Sequence, residues 1–322
     1  MDKFTTSFGR RVTAAEILTG VDLSGRRMIV TGGTSGIGTE TVRALAGAGA
    51  QITIATRNPD SAKPIIEEFP DTKAVAVDLA DLSSVRAFCD DWDGAVDAVV
   101  ANAGVMMLPN RQVNSQGWEM QLATNYLGHF ALVSGLHSAL RAADKPRVVV
   151  LSSGAQLVAG FDFDDPQFER QPYDPFLAYA RSKTADVLLA VGIARRWAED
   201  GIVANACAPG TVHTNLSRHL DQATKQAFGI VDDEGNVLTP DFFKTPEQGA
   251  ATSVLLAASP LLDGVTGRYF EDNQEAEIIE GGPHTMEAGV EAMLGRVAGW
   301  SLDPTAADRL WDYALSTVQD AV

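Results

Sequence analysis

Residues 26–38 read Arg26-Arg27-Met28-Ile29-Val30-Thr31-Gly32-Gly33-Thr34-Ser35-Gly36-Ile37-Gly38. The apolar run Met28–Val30 predicts a strand and the stretch Gly38–Ala48 a helix, so the glycines fall where a strand must turn tightly into a helix. Without side chains there, backbone N–H groups and the positive helix end can approach a pyrophosphate. The spacing is GxxxGxG rather than the general GxGxxG, and a glycine-rich loop alone also reads as a structural turn. Its place directly after the first strand favours a dinucleotide site formed by Gly32, Thr34, Ser35, Gly36, Ile37 and Gly38.

Outward from this loop, short β-branched runs alternate with longer helical stretches from about Arg26 to Cys207, the order of parallel βαβ units. The expected strands are Met28–Val30, Gln51–Ala55, Ala74–Val77, Ala98–Ala101, Val148–Leu151 and Val203–Cys207. Runs such as Ala98-Val99-Val100 and Val148-Val149-Val150-Leu151 suit strands covered by helices on both faces. The expected helices are Gly38–Ala48, Ser83–Asp91, Trp118–Ala142, Ala178–Glu199 and Pro246–Ala258. The fold class is therefore α/β: a Rossmann-type doubly wound parallel sheet, one domain with insertions. Residues 1–25 form an N-terminal flap, 26–272 the catalytic domain, and 273–322 a C-terminal extension packed on it. Within the flap, Thr13 and Glu16 predict a capping box opening a short helix that Gly20 closes.

The chain has 42 acidic and 25 basic residues, for a net charge of −17. That balance argues against nucleic acid and anionic membranes, whose binding draws on clustered Lys and Arg. Cys89 and Cys207 match neither metal-ligand nor disulfide spacing, which suits a reducing cytoplasm. The N-terminal segment carries Asp2, Lys3, Arg10 and Arg11, and reads as neither a secretory signal nor a membrane anchor. His213 and His219 lack the ligand spacing of a metal site, so no metal is expected. His129 is assigned to capping or packing its own helix.

An acidic residue at the end of the second strand would bind the adenosine ribose. Here that strand runs Ala55-Thr56-Arg57-Asn58, and Arg57 can pair instead with a 2′-phosphate, which favours NADP(H), with NAD(H) as the weaker alternative. The bland alternative is a solvated loop cation. Tyr179 and Lys183 lie four apart on one helix face. A neighbouring ammonium favours the phenolate, so this pair can serve as a tuned general acid/base.

The chain resembles the short-chain dehydrogenase/reductase family at six ordered places. These are Thr31–Gly38; Asp78-Leu79; Ala101-Asn102-Ala103-Gly104; Leu151-Ser152-Ser153; Tyr179-Ala180-Arg181-Ser182-Lys183; and Pro209-Gly210-Thr211-Val212-His213-Thr214. Within it, Asn102–Met107, Thr124–Phe130 and Gly267–Asp272 are similar to the retinol dehydrogenase and WW-domain oxidoreductase branch, although no WW domain is present. The resemblance implies that Tyr179 exchanges the proton, Ser153 holds the substrate oxygen, Lys183 binds the nicotinamide ribose and Asn125 positions a water. It also places Asp78, Leu79, Asn102, Ala103, Gly104, Pro209, Gly210, Val212 and Thr214 along the cofactor.

The implied reaction passes a hydride between the nicotinamide and a carbonyl or alcohol of an apolar small molecule. A homodimer or homotetramer is expected through the Trp118–Ala142 and Ala178–Glu199 helices. The long segment Gly154–Ala178 is expected either to wall the substrate with Phe161, Phe163, Phe168, Tyr173 and Phe176, its acidic residues Asp162, Asp164, Asp165, Glu169 and Asp174 facing solvent, or equally to be a surface loop packed on a neighbouring subunit. Two alternatives are a nucleotide-sensing or interaction protein that has lost turnover, and a sugar-nucleotide epimerase or dehydratase. The complete Ser, Tyr, Lys and Asn set speaks against the first, and the GxxxGxG spacing against the second.

Overall fold

A computed structural model describes residues 3–214, 216, 220–283 and 289–319. Six parallel strands, β1 (Arg27–Thr31), β2 (Gln51–Thr56), β3 (Lys73–Ala76), β4 (Ala98–Ala101), β5 (Arg147–Leu151) and β6 (Val203–Cys207), match the expected set within a residue or two. A short parallel ladder pairs β7 (Thr211–Val212) with β8 (Phe243–Lys244). Two further strands of the main sheet went unread in the sequence: β9 (Tyr269–Glu271) lies parallel to β6, and β10 (Gln274–Glu275) turns back antiparallel at the edge. The sheet order is β10-β9-β6-β5-β4-β1-β2-β3, which reverses direction at β1 and β4. In a doubly wound sheet, ligands bind beyond the strand ends at that reversal.

Side-chain alternation divides the core between the two faces. Met28, Val30, Val100, Val149 and Leu151 pack with Ile17, Val42, Leu45, Val254 and Leu255 on one face. Ile29, Val99, Val148 and Val150 pack with Val85, Leu132, Leu188 and Trp311 on the other. Apolar positions on both sides of a strand are what make its whole run hydrophobic.

The N-terminal flap begins as expected: the Thr13 hydroxyl caps helix α1 (Ala14–Ile17), and Glu16 completes the capping box. The chain before it is tied to the far sheet edge. The Phe4 N–H donates to Glu275, and Gln274 donates to the Thr6 and Phe8 carbonyls. The first βα unit ends in α2 (Gly36–Gly47), and α3 (Lys63–Glu68) and α4 (Leu82–Asp90) follow the next two strands.

Three expectations need correction. The Trp118–Ala142 stretch is no continuous helix. It divides into α5 (Met120–Leu122), a π turn over Ala123–Leu127, α6 (Gly128–Gly135) and α7 (His137–Arg141). Glu119 accepts the Gln121 and Leu122 N–H groups and so starts the helix after Trp118.

Second, the faces expected to mediate self-association are covered within the chain. The helix Pro304–Gln319 lies along α8 (Pro175–Arg196), and its Trp311 meets Phe130 of α6 edge-on at 4.9 Å and Trp197 at 5.4 Å.

Third, most aromatics of 154–178 turn away from the cleft. Phe161 and Phe163 pack together at 4.9 Å, with Tyr313 against the first and the Arg309 guanidinium 4.1 Å from the second ring. Phe168 is buried against Tyr173 and beneath Arg181. Asp165 is buried rather than solvated; burial alone would raise its pKa, but N–H bonds from Gln171, Glu169 and Arg170 outweigh that and hold the carboxyl at about 2. Of the five aromatics, only Phe176 lines the cleft.

Candidate active site

At the sheet's reversal point lies a cleft of about 570 Å³. Its inner end is the glycine-rich turn. Gly36 opens α2 with φ +53°, a left-handed conformation that L side chains rarely adopt, and a Cβ there would stand 3.0 Å from Thr214. A Cβ at Gly38 would fall 2.3 Å from the Gly32 carbonyl oxygen and 2.6 Å from Asn102 Nδ2, so no larger residue fits. Ser35 is the N-cap of α2 but its hydroxyl caps nothing. The helix end is thus left with unpaired N–H donors and an uncommitted hydroxyl, a fit for an anionic pyrophosphate.

Gly32, Thr34, Ser35, Gly36, Ile37, Gly38, Arg57, Asp78, Leu79, Asn102, Ala103, Gly104, Ser153, Tyr179, Lys183, Pro209, Gly210, Val212 and Thr214 all border this one cleft. Arg57 is exposed at its rim, with no hydrogen bond or ion pair among the described residues, free to meet a phosphate. Asp78 is shaped by its own turn: its Oδ1 accepts the Ala80 N–H, and its N–H donates to Ser84. Asn102 Nδ2 donates to the Thr31 carbonyl at 2.9 Å, locking β4 to the glycine turn.

Asn125 stands apart. It is fully buried in the π turn and does not border the cleft. Its amide is spent on structure: Oδ1 accepts the Val105 N–H at 2.8 Å, while Nδ2 donates to the Val105 carbonyl and to Ser182 Oγ. What it can offer the chemistry is its backbone carbonyl, one lone pair of which is already met by His129 Nδ1 at 2.7 Å.

Ser153 caps a short 3-10 turn, its Oγ accepting the Ala155 N–H at 3.2 Å. That acceptor role leaves the hydroxyl proton available to a ligand. The Tyr179 hydroxyl has no hydrogen-bond partner among the described residues. Lys183 Nζ, 5.8 Å from the Tyr179 ring centre, donates to the Leu151 carbonyl at 2.9 Å and to Asp186 at 2.7 Å. An ammonium has three protons, so one remains for a ligand. Asp186 was not singled out in the sequence; burial pushes its carboxyl up to about 7 against the pull of Lys183, and its Oδ1 has no hydrogen-bond partner among the described residues.

The outer part of the cleft is apolar: Met106, Met107, Phe176, Leu216, Phe228 and Met293 line it. Three of these, Leu216, Phe228 and Met293, come from the loop-rich 216–245 stretch and the C-terminal extension, neither of which carries a local motif. Among the described residues, no group of three His, Cys, Asp or Glu is placed to hold a metal ion; His219 lies outside the described residues. His213 stacks on Phe243 at 4.2 Å. Burial raises both cysteine thiols to about 12. No described helix is long and apolar enough to cross a membrane.

Glu271 also borders the cleft, and its buried carboxylate accepts the Gly295 N–H at 2.8 Å. Burial, helped by Asp272, raises its pKa to about 7. The folded chain therefore retains a proton that an unfolded glutamate releases near ~4.3. The stability from this group is present below that value and lost as pH rises through about 7. Glu271→Gln keeps the acceptor and removes the titration. The urea midpoint of the parent relative to this variant is expected to fall between about pH 5 and about pH 8; a pH-independent difference would refute the shift.

The sequence profile described as "short chain dehydrogenase" matches residues 26–225. A probable oxidoreductase of Streptomyces lividans is 59% identical over 303 residues, spanning 92% of this chain and 99% of that protein. Retinol dehydrogenase 14 of Homo sapiens is 33% identical over 294 residues, spanning 84% of each chain. Among solved structures, the RhlG/NADP active-site complex of Pseudomonas aeruginosa aligns with a TM-score of 0.59 at 25% identity, covering 77% of this chain and 95% of that one. With the glycine turn, the serine, the tyrosine and the lysine gathered in one cleft, these likenesses show that the chain belongs to the short-chain dehydrogenase/reductase family, is similar to its retinol dehydrogenases, and is an NAD(P)-dependent oxidoreductase.

Proposed function

We propose that the protein is an NADP(H)-dependent carbonyl reductase or alcohol dehydrogenase acting on an apolar small molecule. The observation that carries this reading is the joining of two halves in one cleft: an anion-binding glycine turn with Arg57 at its rim, and an apolar mouth with Ser153 and Tyr179 between them. The bound nicotinamide supplies or accepts the hydride. In reduction, the Tyr179 hydroxyl, unengaged by protein, gives its proton to the developing alkoxide, and Ser153 donates a hydrogen bond to the same oxygen. Lys183 offers its remaining N–H to the nicotinamide ribose and its charge to the site. The Asn125 side chain, committed to Val105 and Ser182, takes no direct part; any contribution to a proton relay runs through its carbonyl.

NADP(H) preference rests on Arg57 and on the absence of a carboxylate at the end of β2; the Pseudomonas aeruginosa relative was solved with NADP. Arg57→Ala is expected to lower the ratio of kcat/KM for NADPH over NADH by about tenfold to a hundredfold, the value of one ordered charged contact. A parent enzyme using both cofactors equally would count against the assignment. The function itself is tested by NADPH oxidation across aliphatic, aromatic and isoprenoid aldehydes and ketones. Cofactor binding without turnover on any of them would favour a nucleotide sensor.

The domain reading of a flap, a catalytic domain and a packed extension is supported by the core contacts of both ends of the chain. With α6 and α8 covered, a homodimer or homotetramer has to form through other faces. Two free cysteines remain compatible with a cytoplasmic site.

A further inference from the structure

His129 is 1% exposed on α6 and bridges the two halves of the site. Its Nδ1 lies 2.7 Å from the Asn125 carbonyl oxygen, and its Nε2 lies 2.9 Å from Thr31 Oγ1. A carbonyl oxygen only accepts, so Nδ1 carries a proton. Burial, with the nearby Lys183 charge, lowers the His129 pKa to about 4 even though the Asn125 bond opposes it. The ring is therefore neutral, and Nε2 is a bare acceptor. Thr31 must then donate its hydroxyl proton to Nε2, which leaves the two lone pairs of its oxygen for the two N–H groups that point at it, those of Asn102 and Ala103, each at 2.9 Å.

The opposite tautomer fails twice. It would set a nitrogen lone pair against a carbonyl oxygen, and it would aim three donors at a hydroxyl with two lone pairs. One chain of hydrogen bonds thus runs from Asn125 through His129 and Thr31 to Asn102 and Ala103. The strip Asn102–Val105, which borders the cleft, is clamped at its start by Thr31 and at its end by the Asn125 amide. A Cβ on Gly104, inside this strip, would lie 3.2 Å from Asn125 Oδ1 and 3.8 Å from Lys183 Nζ.

We propose that His129 is a positioning residue: as a neutral Nδ1–H imidazole it fixes the Asn125 carbonyl with one nitrogen and the cofactor strip with the other. The inference rests on the oxidoreductase reading for its catalytic half only. The two ends separate by chemistry. Asparagine places an amide N–H near the position of Nδ1, and glutamine an amide oxygen near that of Nε2.

Three measurements test it: turnover, NADPH calorimetry on the resting protein, and 15N NMR of the histidine rings. His129→Gln is expected to keep NADPH affinity within about threefold and lose about tenfold in kcat. His129→Asn is expected to show the reverse, keeping kcat at saturating NADPH while affinity falls about tenfold. In the parent protein, the His129 ring should show the Nδ1–H pattern and not titrate between about pH 5 and about pH 9.

Equal losses in both parameters for both variants would reduce His129 to core packing and overturn the proposal, as would an Nε2–H ring or titration above pH 5 in that range. The calorimetry and NMR need no substrate. A failure of the oxidoreductase reading, seen as no turnover by the parent, is therefore distinct from a failure of this one.

Discussion

Tyr179→Phe is expected to bind NADPH as the parent does and to lose about a thousandfold or more in kcat, within the range attributed to a positioned general acid. The ring is 5% exposed and packs with Ala155, Val158 and Ala180, so phenylalanine refills the same space. What disappears is the hydroxyl, which has no hydrogen-bond partner among the described residues, so that its loss strands none of their buried groups. Calorimetry with NADPH and a single-turnover assay separate the two effects. A variant retaining a tenth of parental turnover would remove Tyr179 from the proton-transfer role. Lys183 is a poorer probe, because replacing it also strips the buried Asp186 of its ion-pair partner.

The second large effect concerns stability. Trp311→Ala is expected to cost about 3–5 kcal/mol, the range for emptying a buried aromatic site. Trp311 is 8% exposed and fills the space between Phe130, Trp197 and Gly192. Its loss uncovers the apolar faces of α6 and α8 together. Urea unfolding should show the lowered midpoint, and sedimentation should show the variant forming larger species than the parent. An unchanged midpoint would mean that the C-terminal helix is dispensable.

How far the sequence could be read depended on whether an element's cause was local. Strands β1, β2, β4, β5 and β6 were legible because burial on both faces makes each run apolar on its own. The edge strands β9 and β10 were not: they have three and two residues, and the turn between them uses Asp272 and Asn273 at φ +54° and +64° without a glycine to mark it. The glycine turn and the Tyr179–Lys183 pair announce themselves through spacing. Glu271 and Met293 reach the site only through tertiary placement, whereas Asp186 meets Lys183 at i,i+3 spacing within α8, a signal that was present in the sequence. His129 is the instructive case. Its bond to Asn125 lies within its own helical stretch, as expected of a capping or packing residue, but Thr31 is 98 positions away and no local pattern could join them. Phe161 and Phe163 went astray for a related reason, since the C-terminal helix supplied them Tyr313 and Arg309 as partners where a substrate had been expected.

The location of that helix has a consequence for how the protein is made. Helix α8 ends at Arg196, but Trp311 and Leu310, which close over it, leave the ribosome more than a hundred residues later. At the usual 5–20 residues per second, this stretch takes roughly 5–20 s to synthesise. Throughout that interval the nascent chain carries a greasy, unsealed flank, and the segment before α1 cannot dock, because the Phe4 and Thr6 partners, Glu275 and Gln274, are also still to come. Folding of the flank and of the N-terminal segment is therefore completed only once residues 274–311 have emerged. A message cut short before Leu310 would leave that flank of α6 and α8 unsealed.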